Sequence, residues 1–110
     1  MNDKLLSFLG ICRRAKKLVI GAEIAAESVE QGKSFLILYS ADGSQNSLKR
    51  VLNTAKQHGV TALCAGRSKA ELSSALGRLC NVLSVEDKGF ADKLSLMIMN
   101  EQGGELYDKI

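Results

Sequence analysis

Apolar residues recur at three- and four-residue intervals through Leu5, Leu6, Leu9 and Cys12, the spacing that lines one face of a helix. Asn2 or Asp3 stands where such a helix needs an N-cap. LVI at 18–20 then reads as a short strand, and Gly21 opens a second helix with Ile24, Ala25, Ser28 and Val29 on one face, ended by Gly32. FLILY at 35–39 is continuously apolar, as suits a central strand covered on both faces. The turn-forming ADGSQNS at 41–47 leads into a third helix with Leu48, Val51, Leu52 and Ala55 inward and Gly59 at its end. VTALCA at 60–65 is a further strand.

Ser68 and Glu71 have the spacing of a capping box and start a short fourth helix, with Leu72, Ala75 and Leu76 inside and Gly77 at its stop. VLSV at 82–85 is the fourth strand, and Asp87 caps a last helix that buries Phe90, Leu94, Met97 and Ile98. The alternation of strands and helices predicts an α/β fold, a three-layer αβα sandwich around a small four-stranded mixed, mainly parallel sheet. One domain is expected over residues 1–100, followed by a polar, flexible tail at 101–110 held only by Leu106, Tyr107 and Ile110.

The composition narrows the function. With 110 residues, 45% apolar and 25% charged, the chain can bury one core without staples. Its aromatic fraction of 5% makes that core aliphatic. Cys12, Cys64 and Cys80 are widely spaced and His58 is the single histidine, so neither a disulfide framework nor a metal site is predicted. No nucleophile–base pair stands out, so no catalytic residue and no cofactor is expected. His58 beside Gly59 fits a helix C-terminus. YSADGSQN lacks both common phosphate-loop patterns, and Asp42, Ser44 and Asn46 read as turn and cap rather than as a nucleotide site. The N-terminal stretch reads as an amphipathic helix; a cytoplasmic monomer without membrane contact is expected.

A net charge of +3 permits nucleic-acid binding where the cations cluster. Arg13, Arg14, Lys16 and Lys17 do cluster, and the Gly21 helix start follows them closely. A helix N-terminus favours phosphate, whereas Glu23 and Glu27 oppose it. The run is expected at the same edge of the sheet as Gly21, with Lys49, Arg50 and Arg78 near it.

Six segments, in order, carry a resemblance: RRAKK at 13–17, Gly21 to Lys33, the strand Phe35 to Ser40, DGSQNSLK at 42–49, SKAELSSALGR at 68–78 and VEDKGFADKL at 85–94. Together they resemble the ribosomal protein L7Ae/L30e superfamily, in particular its small bacterial YlxQ-type branch. That resemblance implies an αβα sandwich and binding of kink-turn RNA, with the protein associated with the ribosome or translation machinery. By analogy, Gly21, Ala22 and Glu23 form one gripping loop and Arg78 to Val82 the other. Where other branches read G-x-N-E-x-x-K, this chain has Glu23, Ile24 and Glu27, a reversal of charge that weakens kink-turn affinity. The alternative is a protein-interaction module on the same fold, with Ile24 exposed as an apolar contact.

Overall fold

A computed structural model describes the backbone of residues 3–108 and the side chains of residues 3–101. Helix α1 (Lys4–Arg14) starts where the Asp3 carboxylate accepts a hydrogen bond from the Leu6 N–H at 3.0 Å, and it buries Leu5, Leu6, Leu9 and Cys12. The alternative cap, Asn2, lies outside the described residues. Then come β1 (Leu18–Ile20), α2 (Ala22–Glu30), β2 (Leu36–Tyr39), α3 (Gln45–Gln57), β3 (Ala62–Cys64), α4 (Lys69–Leu76), β4 (Val82–Val85) and α5 (Lys88–Asp108). The capping box of α4 is formed by Ser68 and Glu71, and Gly77 closes that helix in the left-handed region. At α5, Asp87 accepts from the Phe90 N–H at 2.9 Å.

Two expectations about helices change. Ile24 is not a core residue: it is 45% exposed in the first turn of α2, while Ala25, Ala26, Ser28 and Val29 are buried. Periodicity defines an apolar face, but whether the first turn of that face is covered depends on where the neighbouring element ends. Second, the backbone stays helical to Asp108 through Gly103 and Gly104, beyond the expected end near residue 100. Extending an existing helix through a glycine costs only about 1 kcal/mol. The anchoring assigned to Leu106, Tyr107 and Ile110 lies outside the described side chains.

The sheet is mixed, with strand order β1-β4-β2-β3. Pairing of β2 with β3 is parallel, whereas β4 is antiparallel to both β1 and β2. Strands β1, β2 and β3 therefore share one direction, as alternating β and α segments imply. Because β4 inserts between β1 and β2 in the opposite sense, most of the hydrogen-bonded pairing is antiparallel, correcting the mainly parallel expectation. Local pattern sets strand direction along a crossover but not the slot a strand enters.

Alternation along the strands feeds two cores. Leu36, Leu38, Leu83 and Val85 face α1, α4 and α5; Ile37 and Val82 face α2 and α3. The inner strands are covered on both sides, which is why β2 lacks a polar–apolar alternation up to Tyr39 and β4 is apolar but for Ser84. Ser84 is the polar exception: its hydroxyl lies 2.9 Å from Ser28 Oγ on α2 and donates to Ser34 Oγ at 2.7 Å. Burial pushes the thiols of Cys12 and Cys80 up to about 11, so both behave as inert core residues.

Helices α1, α2 and α3 end in the same hydrogen-bonding pattern, in which the amide two residues past the cap returns to a carbonyl five residues back: Lys17 to Cys12 at 3.0 Å, Lys33 to Ser28 at 3.0 Å, and Val60 to Ala55 at 2.8 Å. The residue before that amide adopts a positive φ in each case. It is Gly32 in α2 and Gly59 in α3, but Lys16, at φ 62°, in α1. A side chain in the left-handed region costs about 1 kcal/mol, and Lys16 bears that cost.

Candidate nucleic-acid interface

Strand β1 lies at the edge of the sheet. Glu86 N–H donates to Lys17 O at 2.8 Å and Gly21 N–H donates to Val82 O at 2.9 Å, so the ladder with β4 uses alternate residues from Lys17 to Gly21. The backbone groups of Leu18 and Ile20 consequently face the open side. Along that side runs an open groove of about 580 Å³, lined by β1, Gly21, the first turn of α2, Arg13 and Arg78.

The groove is built by ordinary local chemistry. Gly21 sits at φ 124°, ψ 149°, a conformation that lets the chain leave β1 and enter α2 at once. No side chain caps α2, so its leading N–H groups remain available at the positive end of the helix. Arg13, from the last turn of α1, donates to the Leu76 carbonyl at the end of α4 and is thereby held against the groove. Arg78 follows Gly77, whose left-handed conformation turns the chain out of α4. Beside it Leu79 is 72% exposed.

Glu23 is held away from a simple opposing role. Its carboxylate accepts from Arg50 of α3 at 2.8 Å, and Arg50 also reaches Glu30 at 3.7 Å. The pair is exposed, at 51% and 83% of the side chains, so its contribution to stability is small. Its consequence for charge is larger: Arg50 neutralises α2 rather than offering a free cation. Glu27 is exposed one turn beyond Glu23.

Of the residues singled out from sequence, Arg13, Gly21, Ala22, Glu23 and Arg78 line the groove together. Arg50 stands next to it through Glu23, and Lys49 is exposed in the opening turns of α3. Arg14 lies instead on a second depression with Leu6, Ser7, Gly10 and Ala75. Lys16 and Lys17 precede β1 whereas Gly21 follows it, so these lysines lie at the opposite end of the sheet, contrary to the single edge expected. Adjacency in sequence misled here because three strand residues separate the two ends. Leu79 was included only as part of the Arg78 to Val82 loop implied by the resemblance and was not named for itself; an apolar residue between Arg78 and Cys80 in an expected loop was its further signal.

The other expected turn is structural. Asp42 accepts from the Lys69 N–H at 2.7 Å, joining the β2–α3 loop to α4. Ser40 donates to Asn81 beneath it, and a Cβ on Gly43 would collide with Asn81 Oδ1 and Ser40 Oγ, so a side chain there would displace that bond. Among the described residues no cluster of His, Cys, Asp and Glu could hold a metal ion, and no helix is long and apolar enough to cross a membrane.

A family model described as the ribosomal protein L7Ae/L30e/S12e/Gadd45 family matches residues 3–95. RNA-binding protein YlxQ of Bacillus subtilis (strain 168) is 31% identical over 87 residues, which is 78% of this chain and 86% of that protein. Its namesake from Enterococcus faecium is 27% identical over 97 residues, covering 88% and 93%. A Bacillus halodurans protein described as of unknown function superposes with a TM-score of 0.79 at 30% identity, over 86% of this chain and 96% of that one. The 15.5kD RNA binding protein of Giardia lamblia has the same fold, with a TM-score of 0.67 at 21% identity over 92% and 89%.

Proposed function

Because the chain belongs to the ribosomal protein L7Ae/L30e/S12e/Gadd45 family, we propose that it is a non-enzymatic RNA-binding protein whose β1–α2 groove takes structured, kink-turn-like RNA in a ribosomal or other translation setting. The observation that carries this reading is the convergence on one groove of Arg13, Arg78 and the uncapped start of α2. Cations supply sequence-independent attraction to the phosphate backbone. Helix N–H groups and the outward backbone of Leu18 and Ile20 supply directional contacts to phosphates, 2′-hydroxyls or base edges. Leu79 offers an apolar surface for a base turned out of the stack. In this reading the protein acts as a cytoplasmic monomer.

Affinity is reduced on the α2 side. Glu27 places a carboxylate near the expected path of the backbone, and Arg50 is occupied by Glu23 and Glu30. Protein docking at the same groove is the second reading, favoured by the exposure of Ile24 and Leu79. The two differ in salt dependence, which is steep for a polyanion and shallow for an apolar contact.

Equilibrium binding to a kink-turn RNA and to an unkinked duplex, each over a salt series, tests this function. Wild type is expected to prefer the kinked RNA, Arg78→Gln to lose about tenfold in affinity, equivalent to about 1.4 kcal/mol, and Glu27→Lys to gain. Equal affinity for the two RNAs, unchanged by Arg78→Gln, overturns the groove as the RNA site.

A further inference from the structure

The end of the sheet opposite Gly21 carries charged and aromatic groups that the groove does not use. Three connections meet there: residues 15–17 before β1, 31–35 before β2, and 86–87 after β4. The Glu86 N–H donates to Lys17 O at 2.8 Å and extends the β1–β4 register by one pair, whereas the Phe35 N–H donates to Val85 O, also at 2.8 Å, one residue off the β2–β4 register in which Leu36 opposes Val85. Lys17 and Phe35 therefore flank the end of β4 on its two sides, about 10 Å apart at ordinary strand spacing.

Phe35 is 47% exposed. The other aromatic side chains described, Phe8, Tyr39 and Phe90, pack against the two cores. Around it Lys16, Lys17 and Lys33 are exposed, and among the described residues none of them forms an ion pair. The carboxylates at this edge are engaged: Glu86 accepts from Ser28 Oγ at 2.6 Å, and Asp87 accepts from the Phe90 N–H at 2.9 Å. Lys88 is paired with Asp92 at 2.8 Å. Bonds from a hydroxyl and an amide leave both carboxylates charged, so the edge is net positive because the three exposed lysines outnumber these two half-buried acids.

Lys16 adds an independent observation. It occupies the left-handed position that Gly32 and Gly59 occupy in the equivalent helix ends, so this turn carries a cation at a site where backbone energetics favour glycine. A conformational cost of this kind points toward a use for the side chain.

We propose that this edge is a second RNA-contact site, which takes a single-stranded segment by stacking one base on Phe35 while Lys33, Lys17 and Lys16 meet its phosphates. An exposed aromatic ring beside flexible cations is the chemistry that holds single strands without reading their sequence. A second copy of this chain is disfavoured, since a symmetric contact would set these lysines against their own counterparts. The site is separate from the Gly21 groove and functions whether or not the groove binds kinked RNA.

Fluorescence anisotropy with a labelled oligouridylate over a salt series, supported by sedimentation of the free protein, tests it. Phe35→Ala is expected to weaken binding about tenfold. Lys16→Gly is expected to flatten the salt slope by about 0.7 while raising the melting temperature, a combination that unfolding cannot produce. Arg78→Gln is expected to leave oligouridylate binding unchanged. Failure of wild type to bind the oligonucleotide at low salt, or binding indifferent to Phe35→Ala and Lys16→Gly, overturns the proposal, as does a wild-type dimer that Phe35→Ala dissociates. Kink-turn binding without these dependences retains the groove function alone. Oligouridylate binding with them, but no kink-turn preference, retains this site alone.

Discussion

The two ends of the sheet use their charges differently. Where β1, β2 and β3 finish, Arg13 is bound to the Leu76 carbonyl, Arg50 to Glu23 and Glu30, Arg67 to Asp3 and Glu101, and Asp42 to the Lys69 N–H. At the other end Lys16, Lys17 and Lys33 are free of such ties among the described residues, and Phe35 is open. A polyanion responds to charge that is available, so the number of cations in a segment is a poor guide to where it binds. One end is a built groove with few free cations, Arg78 chief among them. The other leaves its lysines exposed and unpaired among the described residues.

The largest effect in this contrast belongs to Arg67, whose side chain is only 14% exposed. It holds Asp3 through two hydrogen bonds, of 2.8 and 3.1 Å, and Glu101 through two more, of 2.9 and 3.1 Å. Arg67→Met is expected to lower unfolding stability by about 3 kcal/mol, because two carboxylates lose their partner; urea denaturation measures it. The Arg67 hydrogen bonds also hold the Asp3 carboxyl below its ordinary value. The corresponding stability is present above the unfolded-state value near 3.8 and is lost as pH falls through the lower folded-state value. Acid titration should show this loss in wild type and not in Arg67→Met.

Next in size is a reciprocal pair that isolates the helix stops. Gly59→Lys should destabilise by about 1 kcal/mol, since a Cβ there meets nothing within 4 Å and only backbone strain is added. Lys16→Gly should stabilise by about the same amount. Thermal melts of both variants sharpen the comparison, and a destabilised Lys16→Gly would mean that the lysine side chain makes contacts outweighing its strain. Smallest is Glu23→Gln, expected to change stability by less than about 0.5 kcal/mol because the pair is exposed. By releasing Arg50 it should nonetheless increase affinity for kinked RNA a few-fold, a reading that the same salt series supplies.

Much of the fold was legible in residue order. LVI and VLSV became β1 and β4 with the expected bounds, the Ser68–Glu71 box formed, and Asp3 and Asp87 cap their helices. Each depends on interactions within a few positions of the chain. The insertion of β4 between β1 and β2 was not legible, because strand order depends on which long-range packing is most favourable and leaves no local periodicity. The site divided in the same way. Gly21 marked the helix start, but the burial of Ala26 in place of Ile24, the capture of Arg50 by α2 and the exposure of Leu79 all depend on neighbours distant in sequence.

Sequence alone determined the αβα class, the helix and strand segments, the aliphatic core and the concentration of cations before Gly21, since propensity, capping and hydrophobic period act over one or two turns of chain. Tertiary structure decided which of those cations are spent on internal partners. It also separated Lys16 and Lys17 from Gly21 by placing them at opposite ends of β1. The physical reason is that a hydrogen bond or ion pair depends on distance in space, and a three-residue strand is enough to carry neighbouring residues to opposite ends of a sheet.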